Sequence, residues 1–167
     1  MIFFKKKHNF ILYSRLLDLS RNIFFYEKVH LKDNFETRIY LMFFHFSIIM
    51  LIFKRKQKKF DQDNYDHLFH AIENDLRELG FGDVSVNKKM REFNKILYDI
   101  LLKIDLSQNF TEKFSINKKL IIKYFANLKI INDENFTLLY SYFSSFFEFC
   151  YELSHDNMIE NIKNFKF

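Results

Sequence analysis

The residues with the most obvious capacity for chemistry are two histidines one helical turn apart. His67 and His70 are three residues apart, and Asp66 lies four residues before His70. On a helix this spacing brings the side chains close enough to share a metal ion. No third ligand with an informative spacing accompanies them, and such pairs are usually solvated. We therefore predict no metal site and no cofactor.

The other reactive residue types lack the context that catalysis requires. The only two glycines, Gly80 and Gly82, have neither the third glycine nor the Lys-Ser/Thr pair of a phosphate-binding loop. Cys150 is the single cysteine, so it cannot form an internal disulfide, and its position on an aromatic stripe indicates packing. No serine or cysteine lies in a nucleophile elbow. The sequence predicts a protein that is not an enzyme.

The composition indicates one folded domain. The chain has 167 residues, 49% of them hydrophobic, which favours a single domain over 1–167 and argues against disorder. The net charge of +5 permits contact with RNA, ribosomes or an anionic membrane. Much of it lies in Lys5–Lys7 and Lys54–Lys59, for which a solvated face is the alternative interpretation. No targeting sequence is expected at residues 1–17.

Helical periodicity dominates the chain and predicts an all-α fold, a single compact domain of six or seven helices. The first helix is expected over about Asn9–Glu27. Asp33, with Glu36 three residues on, predicts the start of a second helix that ends near Lys59. The remaining expected helices are Asn64–Leu79 capped by Asp63, Ser85 or Asn87 to about Ile104, Ser115–Ile131, and Asp133 to about His155 with a short basic tail.

The stretch Ile39–Phe53 is the membrane candidate, because only His45 and Ser47 interrupt its apolar run. A spanning helix needs about 20 apolar residues, so we interpret the segment as a buried core helix. The alternative is a helix seated among lipid headgroups by its flanks, Arg38 and Lys54–Lys59. His45 is expected in the core, bonded to a backbone carbonyl or a carboxylate.

The turn after the Asn64–Leu79 helix contains both glycines of the chain. The apolar stripe of that helix is expected to comprise Tyr65, Leu68, Phe69, Ile72, Leu76 and Leu79. Gly80 then follows at the position where a left-handed backbone ends a helix. Because Gly82 is only two residues further on, we predict an unusual backbone for the whole turn. Asp83 is expected to cap the next helix or to bond the turn's backbone amides.

The run Asp75–Val86, with Lys88 and Met90 after it, resembles the signature of the ubiquinol–cytochrome c chaperone family. Upstream elements agree in order and approximate spacing: Tyr13, Arg21, Phe25, Tyr26, Asp33, Arg38, Leu41, His45, Leu68 and Phe69. The resemblance covers about Tyr13 to Tyr98, and beyond about Leu106 it is too loose to transfer anything. Asn87 and Asp99 stand where the family has a proline and a glycine.

The resemblance implies a non-enzymatic assembly factor for the cytochrome bc1 complex that binds newly made cytochrome b. It further implies action near a ribosome or with a small partner subunit. Peripheral contact with an anionic membrane is expected from the net charge and from the basic flank of Ile39–Phe53. The expected location is cytoplasmic at the inner membrane in a bacterium, or the matrix side of the mitochondrion in a eukaryote. No DNA partner is expected. The alternative is a basic helical protein that associates with RNA, ribosomes or a membrane surface.

Seven residues are the candidates for partner binding or for shaping the turn: Arg38, His45, Asp75, Arg77, Gly80, Gly82 and Asp83. The two glycines are expected to shape the turn. Asp75 and Arg77 are expected to join an ion-pair network with Arg38 or to contact a partner.

Overall fold

A computed structural model of the chain describes residues 11–108, 113–125 and 133–167, and within these ranges it contains helices and no strand. The helices are α1 (Ile11–Ser20), α2 (Phe24–Glu27), α3 (Phe35–Arg55), α4 (Gln62–Glu78), α5 (Asp83–Leu106), α6 (Lys118–Tyr124), α7 (Asp133–Glu152) and α8 (Met158–Asn161), which a 3-10 turn (Ile162–Asn164) follows. Six of the helices have seven or more residues. The predicted all-α fold is confirmed.

Helix α3 lies at the centre of the fold. Every residue from Leu41 to Ile49 is buried, and the helix packs against α1, α5 and α7. Among the described residues it is the one helix long and apolar enough to cross a membrane, yet 72% of the relevant window is buried inside the protein. A helix that is apolar on all sides is stable in water only when neighbours cover it. The burial agrees with the core-helix interpretation of Ile39–Phe53.

Helices α3 and α5 run in the same direction. Near their beginnings Lys89 Nζ lies 3.6 Å from Glu36 Oε1, and near their ends Lys54 Nζ lies 2.6 Å from Asp105 Oδ2. Helix α4 connects them by returning in the opposite sense. The turn between α4 and α5 is therefore at the same end of the bundle as the beginning of α3.

The basic cluster at the end of α3 joins three parts of the fold. Besides the Lys54–Asp105 pair, the Arg55 guanidinium lies 5.0 Å above the Phe147 ring of α7. Lys56 Nζ donates to the carbonyl oxygens of Tyr151 (2.6 Å) and Leu153 (2.7 Å), where the end of α7 has carbonyls without helical partners. These three cations consequently have structural roles. The other cluster, Lys5–Lys7, lies outside the described residues.

The continuous first helix predicted over Asn9–Glu27 is wrong. Helix α1 ends at Ser20, whose hydroxyl donates to the carbonyl of Leu17 at 2.7 Å. The side chain of Asn22 then accepts a hydrogen bond from the backbone N–H of Phe24 at 3.0 Å, and α2 begins there. Short polar side chains compete for backbone groups and so interrupt a helix that apolar periodicity alone would continue.

Three predicted caps are off by one or two residues. Asn34 caps α3 by accepting from Thr37 N at 2.8 Å, whereas Asp33 binds Arg38. Asp61, and not Asp63, caps α4, and Asn117, and not Ser115, caps α6. In each case several polar residues capable of capping lie close together in the sequence, and tertiary packing selects one of them.

The predicted helix ends also need correction. Helix α3 ends at Arg55 rather than Lys59, because Gln57 has φ +55°. Helix α5 begins earlier than expected, at Asp83, and α6 ends before Phe125. The rest of the helix expected to Ile131 lies outside the described residues.

The C-terminal segment is part of the core, although a basic tail was predicted there. Helix α7 ends at Glu152 rather than His155. Beyond it, Met158 and Ile162 are buried, and α8 packs against α1. The Phe165 ring lies 5.2 Å from that of Phe146. The segment after α7 is too short for its apolar residues to show a helical period, so the sequence did not predict that it packs in the core.

Candidate functional site

The turn between α4 and α5 begins with a glycine in the left-handed conformation. Gly80 has φ +93°, as its position after the helix predicts. Its N–H donates to the carbonyl of Arg77 at 3.0 Å, and the N–H of Phe81 donates to that of Leu76 at 3.2 Å. This pair of bonds is the Schellman motif, which satisfies the last carbonyls of a helix. A Cβ at Gly80 would meet no atom within 4 Å, so the requirement for glycine is in the backbone angle alone.

The second glycine of the turn has ordinary geometry. Gly82 has φ −75° and ψ 165°, an extended conformation open to any residue, and it occupies the N-cap position of α5. A Cβ there would also meet nothing within 4 Å. The expectation of an unusual backbone is therefore wrong for Gly82.

The charged residues of the turn pair with one another across its two helices. The Arg77 guanidinium binds Glu73 Oε1 at 3.0 Å on α4 and Asp83 Oδ1 at the beginning of α5. The carboxylate of Asp83 thus binds a guanidinium rather than the turn's amides, and it interacts favourably with the α5 dipole. The predicted network with Arg38 is wrong for Arg77.

A pocket of about 310 Å³ lies where α1, α3 and α4 meet, beside the turn. We call it the α1–α3–α4 pocket. Its walls are Tyr13, Leu17, Arg21, Phe35, Arg38, Ile39, Met42, Asp75, Glu78 and Leu79. Six of these belong to the family resemblance: Tyr13, Arg21, Arg38, Asp75, Glu78 and Leu79. The fold thus brings together residues from three separate stretches of the sequence.

The polar centre of the pocket is a hydrogen bond between two helices. Tyr13 Oη donates to Asp75 Oδ2 at 2.5 Å. Burial raises the pKa of the Asp75 carboxyl, while the bond from Tyr13 opposes the rise, the charge of Glu78 adds to it and that of Arg21 opposes it. Asp75 therefore has Tyr13, and not Arg38, as its direct partner.

The two arginines of the pocket are held differently. Arg38 Nε and Nη2 both lie against Asp33 Oδ1, at 2.9 and 2.8 Å, which fixes the guanidinium at the mouth. Arg21 is exposed, and its charge acts on Tyr13, Tyr26 and Asp75. The pocket thus offers two cations and two carboxylates around an apolar floor.

Apolar side chains extend from the pocket over the turn into solvent. Leu79 is 58% exposed, Phe81 38% and Val84 84%. We call these three residues the signature surface. Lys89 Nζ lies 5.5 Å from the Phe81 ring centre and makes a cation–π contact with the ring. Leu79 was expected on the buried stripe of α4, and its exposure corrects that expectation.

A family model described as ubiquinol–cytochrome C chaperone matches residues 27–143. The chain belongs to the ubiquinol–cytochrome c chaperone family. No curated protein and no solved structure matches the chain. Membership of this chaperone family indicates a role in assembly of the bc1 complex at a respiratory membrane.

The span of the match changes what the sequence resemblance indicated. It includes α3 to α6 and about half of α7, so the expectation that similarity fades beyond Leu106 is wrong. It begins after Tyr13 and Arg21, which contribute to the pocket from outside the matched residues. The turn, Arg38 and Asp75 all lie inside it.

His45 has a role in the core of this chaperone-family fold and no access to a partner. Its ring is fully buried, with Nδ1 2.6 Å from the Leu41 carbonyl oxygen and Nε2 2.9 Å from Tyr142 Oη. Because the carbonyl can only accept, Nδ1 carries the hydrogen and Nε2 accepts from the tyrosine. Burial lowers the pKa of His45 to about 4, and the Leu41 bond opposes this. The predicted core position is confirmed.

The remaining candidates for chemistry are the His67–His70 pair and Cys150. Across residues 11–108, 113–125 and 133–167, no group of three or more His, Cys, Asp or Glu side chains could hold a metal ion. Cys150 is buried, and burial raises the pKa of its thiol. Its predicted role in packing is confirmed.

Sequence reasoning missed the apolar walls of the pocket. Leu17 stands midway between Tyr13 and Arg21 at intervals of four, and Phe35 and Met42 flank Arg38 at intervals of three and four. These intervals place residues on one face of a helix. The signal was present around each matched residue, but only the fold shows that the three faces converge.

Proposed function

We propose that this protein is a non-enzymatic chaperone that binds newly made cytochrome b through the signature surface and the adjoining α1–α3–α4 pocket. The observation that carries the proposal is the exposure of Leu79, Phe81 and Val84 beside that pocket. Family membership supplies the assembly pathway, and the exposed apolar residues supply a surface suited to an apolar client.

The signature surface has the physical properties of a hydrophobic contact. A large apolar side chain gains roughly 1.5–3 kcal/mol when it passes from full exposure to full burial, and these three side chains gain the part of it that corresponds to their exposed area. Leu79 belongs both to this surface and to the pocket wall, so a client segment that covers Leu79 reaches the pocket directly. The Schellman turn fixes the backbone between the end of α4 and the beginning of α5, so the three residues are held close together, which lowers the entropic cost of binding.

The pocket adds polar groups that set orientation. Arg21 and Glu78 are exposed at its rim, while Asp75 and Tyr13 are tied to each other within it. A client segment carrying a polar group among apolar residues can bond these groups, whereas an entirely apolar one leaves them solvated at the rim. This arrangement favours selected apolar segments over non-specific aggregation.

Site-specific crosslinking tests the surface. A photoreactive amino acid at Leu79 or at Val84 should crosslink to cytochrome b during its synthesis. The same group at Tyr151, an exposed aromatic position at the end of α7, is the matched control and should give little product. Equal crosslinking from Tyr151 contradicts the assignment of the surface.

Deletion of the gene tests the client. The strain should lose cytochrome b and assembled bc1 complex while other respiratory complexes persist. Restoration by the wild-type chain, and not by Leu79→Ser/Val84→Ser, would link the loss to the signature surface. Normal cytochrome b abundance without the protein contradicts the proposal.

The alternative of an RNA- or ribosome-associated protein rested on the basic clusters. Lys54, Arg55 and Lys56 are engaged with Asp105, Phe147 and the end of α7, which weakens that basis. A general translation defect in the deletion strain would favour the alternative.

A further inference from the structure

The outward face of α5 carries a continuous row of exposed residues. At about 100° per residue, six exposed positions lie within about 40° of one line along the helix. We call them the α5 stripe: Val84, Lys88, Arg91, Lys95, Tyr98 and Leu102. The stripe is about 27 Å long, from the α4–α5 turn to the last turns of the helix. Along this one face the cations lie in the middle and the apolar residues lie at the two ends.

The charge of the stripe has one sign. Lys88, Arg91 and Lys95 are exposed, and no acidic residue lies among them in the row. On the same helix Asp99 and Asp105 lie about 60° from the line through Val84, and Glu92 lies about 80° from it, one turn from Lys88 and from Lys95. Asp99, further along α5, is already bound by Lys103 and Lys123, each at 2.7 Å. The stripe therefore presents three cations toward solvent.

The apolar end of the stripe is unusually exposed. Tyr98 is 62% exposed and Leu102 is 59% exposed, although both are large. Leu102 also forms one wall of a cavity of about 280 Å³ between α3 and α5, which we call the α3–α5 groove; its lining is Ser47, Met50, Leu51, Lys54, Leu101, Leu102 and Asp105. The Ser47 hydroxyl in it is buried and has no hydrogen-bond partner among the described residues.

We propose that the α5 stripe is a binding surface for an anionic lipid bilayer, with Lys88, Arg91 and Lys95 on lipid phosphates and Tyr98 and Leu102 in the headgroup–acyl boundary. A helix face of cations with adjoining aromatic and aliphatic residues is suited to lie in this interface. The α3–α5 groove beside Leu102 has mostly apolar walls and admits part of an acyl chain.

The apolar residues distinguish a bilayer from RNA. Phosphates of either kind would attract the three cations. The charged backbone of a nucleic acid gains nothing from covering Leu102 and Val84. It also has no apolar group that would occupy the α3–α5 groove, whereas a lipid has an acyl chain. The charge complementarity and the exposed apolar ends together therefore favour the bilayer. The inference is independent of the client, because vesicles without any client protein test it.

Charge reversal with a matched control is the first experiment. The wild-type chain should co-sediment with phosphatidylcholine vesicles that contain phosphatidylglycerol, and weakly with phosphatidylcholine alone. Lys88→Glu/Arg91→Glu/Lys95→Glu should lower the partition coefficient about tenfold or more. The control, Lys28→Glu/Lys32→Glu/Lys163→Glu, makes the same change in net charge at exposed positions elsewhere and should lower it much less. Equal losses for the two triple variants would overturn the proposal.

A tryptophan reporter is the second experiment, since the chain has no tryptophan of its own. Leu102→Trp or Tyr98→Trp should show a blue-shifted emission with anionic vesicles and quenching by lipids brominated on the acyl chain. Tyr151→Trp, on α7, is the matched control and should show neither. Absence of quenching at both stripe positions, or equal quenching at Tyr151, overturns the proposal. Loss of ribosomal RNA binding in the α5 reversal variant, with vesicle binding unchanged, would overturn it in favour of RNA.

Discussion

Tyr13 and Asp75, which are 62 positions apart in sequence, share a hydrogen bond of 2.5 Å that joins the first helix to the beginning of the family signature. Tyr13→Phe removes only the donor and leaves a partly buried carboxyl with one bond fewer. We expect the free energy of unfolding to fall by about 1–2 kcal/mol, because an unsatisfied buried acceptor costs that much. Urea denaturation measures it. Asp75→Asn in the Tyr13→Phe background should cost less than in the wild type, and strict additivity would contradict a direct bond.

The buried His45 predicts how stability depends on pH. Its pKa is about 4 in the folded protein, below its ordinary value of 6.5, so the unfolded state binds more protons between these pH values. Stability due to this residue is therefore constant above about pH 6.5 and falls as pH decreases toward 4, by up to about 3 kcal/mol. Unfolding titrations in this window measure the slope.

Two substitutions separate His45 from the other histidines in that experiment. His45→Gln should flatten the slope between pH 6.5 and pH 4, whatever its effect on stability at neutral pH. His70→Gln, at an exposed position on α4, should leave the slope as in the wild type. A slope that His45→Gln does not change would show that other groups cause the acid sensitivity.

The two glycines of the turn provide a matched pair of substitutions. Gly80→Ser should destabilise the protein by roughly 1–2 kcal/mol, because serine at φ +93° meets the steric cost of the left-handed region. Gly82→Ser should change stability by no more than a few tenths of a kcal/mol, because serine is favoured at an N-cap. Thermal unfolding distinguishes the two. Equal effects would contradict the difference in backbone geometry between the two positions.

The parts of the fold that could be predicted from the sequence are those that short-range patterns determine. The apolar run of α3 indicated a core helix. The helical periodicity of α4 correctly predicted that Leu68, Ile72 and Leu76 are buried in the core. The same periodicity predicted a buried Leu79 as well, yet Leu79 is exposed. The helix ends there, and beyond its last turn no other helix of the described residues covers the face that periodicity assigns to the core.

The side-chain partners in the candidate site could not be predicted from the sequence. The sequence indicated that Asp75 and Arg38 act together, and they do line one pocket, but their direct partners are Tyr13 and Asp33. Which of several charged residues pair depends on how three helices cross, and a single sequence contains no direct record of that. The hydrogen bond from Tyr142 to His45 spans 97 positions and was missed for the same reason.

The basic cluster after α3 offers a last test, which separates a structural role from a role in binding partners. Lys56 Nζ bonds the carbonyls of Tyr151 and Leu153, whereas Lys58 is exposed. Lys56→Met keeps the aliphatic stem and removes both bonds, so we expect the unfolding free energy to fall by about 1 kcal/mol. Lys58→Met should leave it unchanged. Hydrogen exchange should increase at the end of α7 in Lys56→Met only. If both variants keep wild-type stability and both lose ribosome or vesicle binding, the cluster serves partners, and α7 does not depend on Lys56.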